Sequence, residues 1–206
     1  MKSVKLLAIA VILGGLALFI KGGYMQAKAH FAQFLVANAW QKTLEQGGEH
    51  KPWSWADTWP VARLFLHSEH KSSASLQHND KGAKSLYVLA GAVGRTLAFG
   101  PGMLLSGAKP GEAGNTVIAG HRDTHFASLQ YLKPGQVLSM QIPSGETIEY
   151  QVFDAGVYHE SDAWLMEDTD RSILTLITCY PFDALFANTP YRYVVRASLR
   201  QTIEKS

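Results

Sequence analysis

A chain of 206 residues, 47% hydrophobic and 17% charged, is long enough to close one substantial core and leaves room for a short extension. Its formal net charge of +2, with lysines and arginines scattered instead of striped, argues against a nucleic-acid footprint or a field built for acidic substrates. The single cysteine, Cys179, excludes an internal disulfide framework.

Met1-Lys2-Ser3-Val4-Lys5 leads into an uncharged apolar run from Leu6 to Ile20, closed by Lys21-Gly22-Gly23-Tyr24. The run is short of the roughly 20 residues that cross a bilayer, but Val4 and Tyr24 extend it and Lys5 and Lys21 can snorkel to the interfaces. It reads as a signal peptide or a signal anchor. Ala27-Lys28-Ala29 has a small-x-small look, yet it lies beyond the apolar run and carries a lysine, so retention as an anchor over 1–24 is expected. Lys2 and Lys5 make the leading end the cytoplasmic one and place the rest of the chain outside.

From 25 to 48 the pattern is that of an amphipathic helix and linker. Phe31, Phe34, Leu35, Asn38, Ala39 and Trp40 recur at spacings of three and four, and Gly47-Gly48 offers a C-cap and hinge. Residues 49–206 read as one catalytic-size domain. It opens on Pro52-Trp53-Ser54-Trp55-Ala56-Asp57-Thr58-Trp59-Pro60, whose tryptophans are either a binding surface or, as expected here, aromatics packed on a barrel wall. Ser68 to Lys84 is polar and aperiodic, as a surface connection would be.

Beyond Ser85 short extended runs alternate with glycine and proline signals: Leu86 to Val93, Thr116 to Ala119, Val137 to Ile142, Thr147 to Tyr158, Ile173 to Cys179 and Tyr191 to Leu199. Pro143-Ser144-Gly145-Glu146 looks like a hairpin turn, and helical pieces are confined to Ala127 to Leu132 and Ala184 to Ala187. Closely spaced strands with few helices predict an all-β fold, an antiparallel sandwich or barrel and not a parallel α/β sheet.

Two of these runs end in residues that acyl transfer needs. Ser172-Ile173-Leu174-Thr175-Leu176-Ile177-Thr178 delivers Cys179 to a strand mouth, and Asn115-Thr116-Val117-Ile118-Ala119-Gly120 delivers His121. A lone cysteine is ordinarily a small buried residue. A thiol becomes a competent nucleophile beside a base, however, and neighbouring strands of a compact antiparallel sheet would set imidazole and sulfur on one rim. His30, His50, His67, His70 and His78 read as solvated surface. An arginine within Tyr191-Arg192-Tyr193-Val194-Val195-Arg196 could steady an oxyanion; alternation puts Arg192 and Arg196 on one face and does not choose between them. Asp123 either orients His121 or forms a turn, the latter being expected. His121, His125 and Cys179 make a poor zinc site, because an i, i+4 pair requires a helix where a strand end is read. Neither metal nor cofactor is expected.

These segments resemble the sortase family, the membrane-anchored cysteine transpeptidases. Thr175-Leu176-Ile177-Thr178-Cys179 is similar to the family's TLxTC signature, Ala119-Gly120-His121 to its histidine segment and Tyr191-Arg192-Tyr193-Val194-Val195-Arg196 to its arginine strand. Further agreement runs through Gly100-Pro101-Gly102, Lys109 to Asn115 and Leu132 to Gln136, in the family's order. The resemblance implies a closed eight-stranded β-barrel with short helices behind an N-terminal anchor. It makes Cys179 the nucleophile, His121 the general acid and base, and Arg192 the substrate- and oxyanion-steadying group. Thr178, Asp123, Arg196 and Asn188 take supporting places.

The implied reaction cleaves an LPxTG-like C-terminal sorting signal of a partner protein through a thioester and passes the acyl group to an amine. Trp53-Ser54-Trp55-Ala56-Asp57-Thr58-Trp59 and His121-Arg122-Asp123-Thr124-His125-Phe126 look most like the Gram-negative, marine proteobacterial branch, which would set the domain on the periplasmic side of the inner membrane. The segment Tyr180 to Phe186 departs from the Gram-positive members, and no acidic cluster supports a calcium site. The competing readings are a cysteine endopeptidase with water as acceptor and a non-catalytic, sorting-peptide-binding envelope protein. An L,D-transpeptidase would need a Ser-x-Gly-Cys segment that this chain lacks.

Overall fold

Apolar residues recurring every second position mark several of the strands from Pro60 onward, and residues recurring every third or fourth mark the helix that ends at Gln46. The computed structural model describes residues 2–66, 84–184 and 189–200, with part of the side chains before residue 27 outside that description. The expected surface connection from Ser68 to Lys84 and the helical piece from Ala184 to Ala187 therefore fall almost wholly outside the described residues.

Helix α1, Lys2–Gln46, is unbroken, running from the expected anchor into the amphipathic segment that continues from it. It ends where expected. Gly47, at φ 68°, takes the left-handed conformation and donates its N–H to the carbonyl of Thr43 at 3.0 Å.

The buried stripe is the expected one only in part, at Ala39 and Trp40. Ala32, Val36, Ala39, Trp40 and Thr43 are buried, whereas Phe31 and Phe34 stand exposed. Small residues let the helix axis approach the barrel, and Trp40, 2% exposed, donates from Nε1 to Oε1 of Gln141 at 3.3 Å. Among the described residues no helix is long and apolar enough to cross a membrane; the expected anchor over 1–24 rests largely on side chains outside the description. In the tryptophan segment Trp53 packs edge-on against Phe99 at 5.0 Å and Trp59 is half-buried, but Trp55 is 83% exposed and packs on no wall.

Eight strands follow: β1 Pro60–Leu66, β2 Lys84–Ala90, β3 Gly102–Met103, β4 Gly114–Ala119, β5 Val137–Gln141, β6 Thr147–His159, β7 Ser172–Tyr180 and β8 Tyr191–Leu199. They close into a barrel in the order β1-β2-β3-β4-β7-β8-β6-β5. All six expected runs are strands. β1 and β3 are additions: β1 hides behind the tryptophan-proline segment although Ala62, Leu64 and Leu66 alternate inward as a strand should, and β3 is too short for periodicity to register. Gly102 is required in β3, because a Cβ there would lie 2.3 Å from the carbonyl oxygen of Gly91.

The expected antiparallel arrangement holds at six of the eight seams and is corrected at two. β2 with β3 and β4 with β7 run parallel, and every other seam is antiparallel. The parallel β4–β7 pair is the consequential one. Antiparallel neighbours bring one strand's end beside the other's start, so they would have put His121 and Cys179 on opposite rims. Inside the barrel Leu64, Val88, Ile118, Leu138, Leu174 and Leu176 form the core with the side chains of Tyr150 and Phe126. Each such side chain contributes about 1.5–3 kcal/mol by leaving water.

Candidate active site

Alternation on β7 sends Leu174 and Leu176 into the core and Thr175, Ile177 and Cys179 to the outer face. On β8 the inward residues are Val195 and Ala197, leaving Arg192, Val194 and Arg196 outward. Cys179 and Arg192 are directly paired across the β7–β8 seam, so their side chains leave the sheet on the same face. On the other side of β7 the last ladder pair is Ala119 with Ile177. Two residues further along each chain stand His121 and Cys179.

The register does not lapse between those points. Gly120 donates its N–H to the Ile177 carbonyl at 3.1 Å, and Thr178 Oγ1 donates to the Gly120 carbonyl at 2.7 Å. His121, just past the end of β4, thus reaches the same rim as the Cys179–Arg192 pair of β7 and β8. His121 is exposed while Cys179 and Arg192 are partly buried.

The turn after β4 is shaped by packing. Phe126, fully buried, lies so close that a Cβ on Gly120 would come within 2.7 Å of its ring, and its N–H returns to the His121 carbonyl at 3.0 Å. Asp123 sits exposed within this turn, in keeping with the turn alternative. Arg122 Nη2 donates to the Ala184 carbonyl at 2.9 Å, tying the histidine turn to the connection that leaves β7. That connection begins with the cis peptide Tyr180–Pro181, and Thr189 Oγ1 closes it by donating to the Tyr180 carbonyl.

Arg192 is held by three acceptors. Nη1 donates to the carbonyls of Thr189 at 2.6 Å and Tyr191 at 2.9 Å, and Nη2 donates to Oε2 of Glu160 at 2.8 Å. Tyr158, paired with Arg192 across the β6–β8 seam, extends the row on the other side. Its hydroxyl donates to Oδ2 of Asp154 at 2.6 Å, and that bond, with burial, pushes the phenol up to about 12. The floor between Tyr158 and His121 is small and apolar: Gly156, Val194, Ile177 and Ala119 form the next register row down. Beneath the sheet Tyr180, Phe182 and Tyr193 pack as an aromatic group, and burial raises the Tyr193 phenol.

The remaining expected site residues disperse. Thr178 is buried on the inward face and serves as the clamp to Gly120, away from the outer groove. Arg196 pairs with Thr175, four residues along β8 from Arg192 and hence roughly 13 Å distant. Its guanidinium lies over Phe153 at 5.4 Å and Trp164 at 5.2 Å, where it secures the segment after β6 and does not reach Cys179. Asn188 lies outside the described residues.

Sequence reasoning passed over two groups. Glu160 carries no motif that would flag it. Asn115 carries a signal, a polar amide inside a β-branched run: fully buried, it accepts from Thr175 Oγ1 at 2.7 Å and donates from Nδ2 to the carbonyls of Leu165 at 2.9 Å and Glu167 at 3.1 Å.

A thiol flanked by an imidazole and a guanidinium on the outer face of a closed barrel is the equipment of cysteine acyl transfer. A family model for the sortase domain matches residues 80–200, and the chain belongs to the sortase family, a family of cysteine transpeptidases. It is 32% identical over 87 residues to sortase D of Bacillus subtilis (strain 168), a match covering 42% of this chain and 43% of that protein. Among solved structures it is similar to sortase A from Corynebacterium diphtheriae, with 25% identity, TM-score 0.58, and coverage of 74% of this chain and 66% of that one. The SrtD catalytic domain of B. anthracis matches at 32% identity and TM-score 0.53 over 69% of this chain and 88% of that one. Sortase C-1 from Actinomyces oris matches at 27% and 0.54 over 69% and 76%.

Proposed function

We propose that this chain is a membrane-anchored transpeptidase that cleaves an LPxTG-like C-terminal sorting signal of a partner protein and transfers the acyl fragment to an amine. The observation that carries the reading is the strand order and register that bring His121, two residues past the end of β4, to the rim where Cys179 on β7 pairs with Arg192 on β8. The Cys179 thiolate attacks the carbonyl carbon of the Thr–Gly amide, and the carbonyl electron pair moves to oxygen. Arg192 N–H groups stabilise that oxyanion. As the C–N bond breaks, His121 gives its proton to the departing amine, leaving a thioester on Cys179. An acceptor amine then attacks the thioester and loses a proton to His121, and the thiolate is released.

The test is mass spectrometry of the protein after incubation with a sorting-signal peptide, with and without an added amine. A thioester on Cys179 that becomes an amide product only when amine is present is the expected result. Products indifferent to amine would turn the assignment to endopeptidase. Peptide binding without an adduct would turn it to a non-catalytic receptor.

Anchoring is supported by the uncharged run Leu6 to Ile20, by its continuity with α1, and by the exposure of Ile12, Leu13, Leu16 and Phe19 on that helix. Supporting a place in the inner membrane with the barrel in the periplasm are Lys2 and Lys5 at the leading end and the resemblance of residues 53–59 and 121–126 to the marine proteobacterial branch. Fractionation with alkaline carbonate extraction checks it: release of the full chain into the soluble fraction would overturn the anchor.

A further inference from the structure

Arg192 has five N–H donors, and three are committed to Thr189, Tyr191 and Glu160. The two carbonyls belong to the arginine's own stretch of chain, at i−3 and i−1, and both hold Nη1. Glu160 alone comes from another strand end and holds the opposite nitrogen, Nη2. With both terminal nitrogens gripped from different directions, the guanidinium plane loses its rotational freedom. Nε–H and one Nη2–H remain for the substrate.

Glu160 is itself anchored independently of its side chain: its backbone N–H donates to the Pro190 carbonyl at 2.7 Å, one step beyond the ladder pair His159 with Tyr191. The carboxylate therefore meets Arg192 from a fixed base. The ion pair is half-exposed, with side chains 30% and 52% accessible, so it contributes little to stability. A contact that barely stabilises the fold yet orients the one cation paired with the nucleophile acts on rate.

From this geometry we infer that Glu160 is a positioning residue for the acyl-transfer reaction: it sets the plane of the Arg192 guanidinium so that its two remaining donors meet the developing oxyanion beside Cys179. The inference rests on the transpeptidase reading above. It is distinct from the Cys, His and Arg roles, because Glu160 touches no reacting atom.

The test uses the 206-residue chain in detergent micelles and a quenched fluorogenic peptide pool, Leu-Pro-x-Thr-Gly with all residues at x. Wild type first identifies a cleaved member, which is then used for kinetics of Glu160→Ala, Glu160→Gln and Glu160→Asp. An interaction realised in the transition state lowers kcat with KM almost unchanged. Alanine and glutamine are expected to cost roughly tenfold in kcat, with aspartate recovering part of it. The thermal midpoint and the rate of Cys179 alkylation by iodoacetamide should stay at wild-type values. Unchanged kcat in all three variants overturns the inference, as does faster turnover, which would make the carboxylate a restraint on Arg192. A loss of kcat that tracks a fall in thermal midpoint overturns it in favour of a structural role. Wild type that cleaves no member of the pool sinks the transpeptidase reading and the inference together, whereas active wild type with indifferent variants sinks the inference alone.

Discussion

β7 is bordered by two seams of opposite character. Toward β4 the strands run parallel, so both end at the same rim, where His121 follows β4 by two residues and Cys179 is the next-to-last residue of β7. Toward β8 they run antiparallel, so the end of β7 meets the start of β8, and the group delivered there is Arg192, the second residue of its strand. A site assembled from two strand ends and one strand start is what one parallel and one antiparallel seam on a shared strand produce. The parallel seam also carries more side-chain reinforcement. Thr178 and Asn115 each bridge it with buried hydrogen bonds, while the outer groups along β8, Arg192 and Arg196, are held by partners on the β6 side.

The comparison breaks most sharply at the reacting groups. Cys179→Ala is expected to abolish the peptide adduct, and His121→Ala to lower kcat/KM by about 10³-fold or more, the scale of a lost general acid and base; adduct mass and steady-state rates check both. Across the antiparallel seam Arg192→Ala should cost about 10²–10³-fold in kcat, as loss of an oxyanion donor does, with Cys179 still alkylated by iodoacetamide. If Arg196→Ala cost as much, the register argument that separates the two arginines would fail.

Stability experiments sharpen the contrast. Asn115→Ala strands the Thr175 hydroxyl and two carbonyls in a buried site and should destabilise by about 2–3 kcal/mol in urea unfolding. Thr178→Val keeps the shape but removes the bond to Gly120, for about 1 kcal/mol and a measurable fall in kcat as the histidine segment loosens. A Thr178→Val protein of wild-type stability and rate would deny the parallel seam its clamp.

The smallest effect lies on the β6 side. The Tyr158 phenol is raised above its ordinary value of 10.0 to about 12 in the folded protein, so its contribution is fully present below pH 10 and is lost as pH climbs toward 12. Tyr158→Phe should flatten the fall in stability across that window, read from unfolding curves at successive pH values; an unchanged slope would show that the bond to Asp154 carries no linkage.

Most of the barrel was legible because alternation is a local property. Six runs betrayed themselves by side-chain period alone, and Gly47 announced the end of α1 by its backbone freedom. β1 was obscured because tryptophans and prolines flank a strand whose alternation includes Arg63. The stripe of α1 that packs was read correctly at Ala39 and Trp40 and misjudged at Phe31 and Phe34, where the barrel took the neighbouring Ala32 and Val36 instead. Cys179 and His121 were legible as types at strand ends. Glu160 was not, since its role exists only through a guanidinium 32 residues away in the chain.

By itself, then, the sequence determined six of the eight strands, the face each residue takes along them, and the candidate thiol and imidazole at two strand ends. Those follow from local period and residue chemistry. Which strands are neighbours, and in which direction, was decided only by the tertiary structure. Closure of the barrel must satisfy every edge at once, and no local pattern distinguishes a parallel from an antiparallel partner. That choice gathers three scattered residues at one rim: it brings the ends of β4 and β7 together, pairs Arg192 and not Arg196 with Cys179, and places the carboxylate of Glu160 where it holds the arginine.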